Sequence, residues 1–147
     1  MKKFSYRMEN VLKIKKQLEE QQKIDFAIAQ GKLNDEKDKL IELTIRQQRY
    51  ERKAKKLMQK DRLDLKAVKE NRNAITTMKA LVRQQMVQVH IAEKEVEKER
   101  VKLTEMQMDR KTHEKLKEYA FKDYMLEYER EESKEIDQLV SYTYTMR

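Results

Sequence analysis

Apolar residues recur along the chain at alternating steps of three and four, the spacing that gathers them on one stripe of a helix. From Val11 the stripe passes through Ile14, Leu18, Gln22, Phe26, Ala29 and Leu33, then Glu36, Leu40, Leu43, Gln47, Tyr50, Ala54 and Leu57. The steps from Ile14 to Leu18, Gln22 and Phe26 are three fours in succession, a stutter that predicts local unwinding of a left-handed supercoil. Farther on, Val68, Ile75, Val82, Val89, Val96 and Leu103 stand seven apart, with Met78, Ala92 and Met106 three residues beyond their partners. Two long helical arms are predicted.

The register continues from Leu57 through Asp61, Asp64, Val68, Asn71 and Ile75, so phase alone marks no reversal. Chemistry does. Asp61, Asp64 and Asn71 pair badly in an apolar seam yet serve well as helix caps, which places a reversal within residues 59–74. The resulting fold class is all-α: a long antiparallel two-helix coiled coil, or helical hairpin. Its first helix is expected over about residues 4–60, its turn region over about 61–73 and its second helix over about 68–140, followed by a frayed C-terminus. The alternative is one continuous helix of roughly 220 Å, at about 1.5 Å per residue, paired in parallel with a second chain.

Composition supports the helical reading. Charged residues make up 42% of the 147 and aromatic ones 7%, too little apolar material for a compact core, and the chain holds one glycine and no proline. Cysteine is absent, which removes disulfides and thiolate metal sites and suits a reducing compartment. No continuous apolar run approaches a membrane span, and the N-terminal segment does not read as a signal peptide, so a soluble cytoplasmic protein is expected.

The net charge of +8 is unevenly distributed: residues 1–60 carry 17 basic and 9 acidic side chains, residues 61–110 carry 11 and 9, and residues 111–147 carry 7 and 9. RQQRYERKAKKLMQK, residues 46–60, concentrates the excess. A DNA-reading basic region would turn several Arg or Lys and an Asn toward one groove. Here Gln47, Tyr50, Ala54 and Leu57 run through the segment as seam, so its charges surround a partnered helix, and specific nucleic-acid recognition is not expected. Nonspecific phosphate attraction stays open.

Catalytic or cofactor chemistry finds no foothold. Gly31-Lys32 lacks the second glycine, the hydroxyl and the preceding strand of a phosphate loop; Gly31 reads as a tolerated helix glycine or a point of close helix approach. His90 and His113 are 23 residues apart with no ligand cluster, and His113 falls on the seam as a packing histidine, so no metal is expected. The acidic runs at 93–99 and 129–132 read as solvated partners of neighbouring Lys and Arg, without a cleft to shift their pKa values. Phe4, Tyr6, Tyr119, Phe121, Tyr124, Tyr128, Tyr142 and Tyr144 are expected to gather at the open end of the hairpin, as core or as a docking patch.

Two blocks carry a family resemblance. FSYRMENVLKIKKQLEEQQKIDFAIAQGKL resembles the F-x-Y-R-(L/M)-x-x-V-L opening of the FliJ family, small coiled-coil components of the bacterial flagellar type III export apparatus. HEKLKEYAFKDYMLEYEREESKEIDQL is similar to that family's C-terminal pattern, matched by Glu114, Lys115, Leu116, Lys134, Ile136 and Asp137, with Gln138 where an acidic residue is commoner. The resemblance implies a non-enzymatic protein likened to the central stalk of rotary ATPases. Its implied partners are the hexameric export ATPase, the cytoplasmic linker of the membrane export gate and empty export chaperones. It places the chain at the membrane's cytoplasmic face only through the export complex; that the two stripes can satisfy each other is what predicts a monomer in isolation.

The stretch LIELTIRQQRY resembles a family segment near the gate-contacting region, with Leu40, Leu43 and Tyr50 matching its two leucines and tyrosine. Met78, Leu81 and Val82 complete the expected partner-binding set by position on the facing helix rather than by motif. A nucleic-acid or cytoskeletal adaptor and a generic chaperone are the alternative classes.

Overall fold

The computed structural model describes residues 2–146. Two helices account for nearly all of it: α1, Glu9–Met58, and α2, Leu65–Thr145, joined by residues 59–64. The fold is an all-α helical hairpin. Residues 22–102, which include the turn, form one compact unit, and residues 2–21 form a second with residues 103–146.

The reversal falls inside the expected window and follows from its side chains. Lys55 and Lys56 occupy the last turn of α1, where their charge favours the carbonyl end of the helix. Asp64 caps α2, its carboxylate accepting a hydrogen bond from the Ala67 amide at 3.2 Å. Asn71 does something different from the expected capping. It is buried within α2 and donates from its side-chain amide to the Tyr50 carbonyl of α1 at 3.0 Å.

That bond is one of three rungs in the turn-containing unit. Gln85 Nε2 donates to the Glu36 carbonyl at 2.9 Å and also reaches its carboxylate, and Gln22 Nε2 donates to the Glu99 carbonyl at 3.1 Å. The rungs step from 71 to 85 to 99 on α2 and from 50 to 36 to 22 on α1, two heptads at a time in opposite directions. Between them Met78, Val82 and Val89 are buried on α2 and Ala29 on α1, and Leu57 is buried on α1 between the Tyr50 rung and the turn. Leu33, Leu40, Leu43 and Ala54 are half-buried on the same stripe. Gly31 is not a point of close approach, because a Cβ built there meets nothing within 4 Å.

In the second unit the charged residues replace apolar ones in the seam. Leu12 is fully buried; Ile14 and Leu18, expected on the stripe, are exposed, and Lys15 and Glu19 take the inward positions. With Leu12, Lys15, Glu19, Gln22, Phe26 and Ala29 as the inward row, the threes and fours alternate regularly and no stutter exists. The reason lies on α2. Asp109 accepts an ion pair from Lys15 at 2.6 Å, Arg110 pairs with Glu19 and with Glu114 at 2.9 Å, and Lys117 pairs with Glu9 at 2.7 Å.

The chain before α1 is held by rings. Phe4 meets Phe121 edge-on at 5.1 Å and Tyr124 at 5.4 Å, Tyr124 lies 6.4 Å from Tyr128, and the Tyr124 hydroxyl donates to the Lys2 carbonyl at 2.7 Å. The expected gathering is thus partial. Tyr119 sits instead between the ammonium groups of Lys115 and Lys122, about 6 Å from each, and Tyr142 and Tyr144 are exposed on the last turns of α2.

Candidate functional site

The six expected contact residues all belong to the turn-containing unit, and the structure sorts them by depth. Met78 and Val82 lie on the inward row of α2 and are buried, while Leu40 and Leu43 are half-buried on α1. Tyr50 and Leu81 remain open to solvent, at 36% and 38% exposure.

The backbone beneath Tyr50 is fixed by the Asn71 amide on its carbonyl, so the ring projects from an anchored turn of helix. Around it Arg46, Arg49 and Lys53 from α1 and Met78 from α2 line a shallow groove of about 350 Å³. Arg46 is drawn partly back by Glu42 at 3.3 Å, and Gln47 donates to Glu51 at 3.1 Å. The groove's basic rim was visible in the sequence as the charge run at 46–60. Its convergence on one tyrosine was not, because that depends on which face of α1 is inward.

The perturbed carboxyls lie away from this groove, at structural pairs. The Gln22 amide holds the Glu99 carboxyl below the usual carboxylate range, opposed by its burial, so Glu99 is a seam residue rather than the solvated one expected from the run at 93–99. Glu97 is lowered by its hydrogen bond from Arg100 on the same helix. Among the described residues no group of three or more His, Cys, Asp or Glu could hold a metal ion. Nor is any helix among them long and apolar enough to cross a membrane. His113 lies half-buried with its Nε2 3.7 Å from Asp109.

The family model described as flagellar FliJ protein matches residues 4–147, which is nearly the whole chain. The chain belongs to the FliJ family. No curated protein and no solved structure matches it. FliJ-family membership makes the chain a member of a group of flagellar export components, and the family is not one of enzymes.

Proposed function

We propose that this FliJ-family chain is a non-enzymatic, stalk-like partner of the flagellar export ATPase that contacts the export gate's cytoplasmic linker and escorts export chaperones. The observation that carries the reading is the family match over residues 4–147 of a chain whose long hairpin offers faces and ends rather than a catalytic cleft. The gate-contacting surface is Tyr50 and Leu81 with the outer edges of Leu40 and Leu43, supported from below by Met78 and Val82. Its position in the cell follows from these partners: cytoplasmic, and held to the inner face of the membrane by the export complex.

The test separates contact from packing at Tyr50. A wholly buried aromatic cut to alanine costs roughly 3 to 5 kcal/mol; at 36% exposure Tyr50→Ala is expected to cost well under that and to lose most of the gate interaction. Thermal melting and pull-down of the gate's cytoplasmic domain are measured on the same variant. A steep fall in melting temperature with normal capture by the folded fraction would make Tyr50 a core residue and move the docking surface elsewhere.

A further inference from the structure

The charge of this protein is concentrated on the turn half of its hairpin more sharply than the end-to-end count suggests. Residues 46–83 carry thirteen Lys or Arg against Glu51, Asp61, Asp64 and Glu70, a surplus of nine, while the rest of the chain together carries one more acid than base. At the tip this charge surrounds apolar side chains. Leu63 and Leu65 are 47% and 75% exposed, and Met58 beside them is exposed as well. Lys60, Arg62 and Lys66, interleaved with those leucines in sequence, are all exposed; Asp61 is exposed among them, and Asp64 is turned to cap α2.

Exposed apolar residues interleaved with basic ones at a turn fit one kind of surface. We propose that the turn is a membrane-surface contact: Leu63 and Leu65 enter the headgroup boundary of an anionic phospholipid bilayer while Lys60, Arg62 and Lys66 meet its phosphates. A duplex nucleic acid would draw on the charge but give the leucines nothing to bury in. The tip residues 58–66 also contain no aromatic side chain on which single-stranded bases could stack. A bilayer interface uses both features at once, with apolar burial and the negative surface potential adding to each other. The proposal rests on the chemistry of the tip and is independent of the gate-contact reading at Tyr50.

The test is cosedimentation of the full chain with vesicles of phosphatidylcholine alone and of equal parts phosphatidylcholine and phosphatidylglycerol. Binding to the mixed vesicles and little to the neutral ones is expected, weakening as salt is raised. Lys60→Gln, Arg62→Gln and Lys66→Gln are each expected to weaken it about fivefold. Leu63→Ser with Leu65→Ser, which changes no charge, is expected to weaken it about tenfold. Circular dichroism checks that each variant keeps its helix. Equal partitioning to both vesicle types, or none to either, overturns the proposal. So does a doubly serine-substituted protein that binds mixed vesicles like the wild type while unrelated duplex DNA competes fully, since the tip would then be a general polyanion patch.

Discussion

Single residues decide where this hairpin is firm. Gly31 stands inside α1 in an ordinary helical conformation, with open space where a side chain would be. Nothing in the fold needs a glycine there, so Gly31→Ala is expected to stabilise the protein by about 1 kcal/mol through the lost freedom of the unfolded chain. A calorimetric melt raised by a few degrees would show it. Arg110 is the opposite case. It bridges Glu114 and Glu19, and Glu19 is only 3% exposed. Glu19 does not depend on Arg110 alone, so Arg110→Ala is expected to cost about 2 kcal/mol rather than the full penalty of a stranded buried charge. Urea unfolding of the variant measures it. A loss no larger than that of an exposed ion pair would show that Glu19 is satisfied without Arg110.

At the scale of the helices, the second was far more legible than the first. The spacing of seven from Val68 to Leu103 survives intact, every member buried or half-buried, and Asn71, Gln85 and Glu99 share the inward face with it as the rungs. Along the start of α1 the apolar pattern pointed to Ile14 and Leu18, and the inward face instead belongs to Lys15 and Glu19. No hydropathy reading of α1 alone could find them, since what makes them inward is the charge opposite on α2. The same holds for the three amide-to-carbonyl rungs, whose side chains look like defects in an apolar seam until the facing backbone is placed. Among the contact set, the motif found Tyr50 at a partly exposed position, while the positional choices divided into buried Met78 and Val82 and exposed Leu81.

These cross-helix pairs set the pH response. Asp109 is lowered chiefly by the hydrogen bond from Lys15, Glu9 by that from Lys117 and Glu99 by that from Gln22. A carboxyl whose folded pKa lies below its unfolded value stabilises the fold above the unfolded value, near 4, and loses that contribution as pH falls through the folded one. Melting temperature is therefore expected to hold from neutrality down to about pH 5 and to drop below about pH 4. In Asp109→Asn the acid drop is expected to be shallower, with lower stability at neutral pH. An unchanged acid profile would mean that the Lys15 pair contributes nothing to it.

At the scale of the molecule, each unit draws its seam from both helices of one chain, and that has a consequence for association. The inward rows of α1 are already met by α2, with the rungs at Asn71, Gln85 and Gln22 tying one register. A second copy pairing in parallel would have to break those bonds and straighten residues 59–64, losing the Asp64 cap. What remains exposed does not repeat the seam. Ile14, Leu18, Ile24 and Ile28 share one outer face of α1 with Gln17, Gln21 and Asp25, but beyond Ile28 that face turns polar at Lys32 and Asp35, so it is far shorter than the seam. The isolated chain is thus expected to melt at a temperature nearly independent of its concentration and to show a monomer's mass in solution. The last turns of α2, where Ile136, Leu139 and Val140 are exposed, are where any self-association would start. If the melting temperature climbs with concentration, serine at those three positions tells the two cases apart. A climb that vanishes would locate a contact at the end of α2, whereas one that persists would mean that the hairpin's own seam is being exchanged between chains.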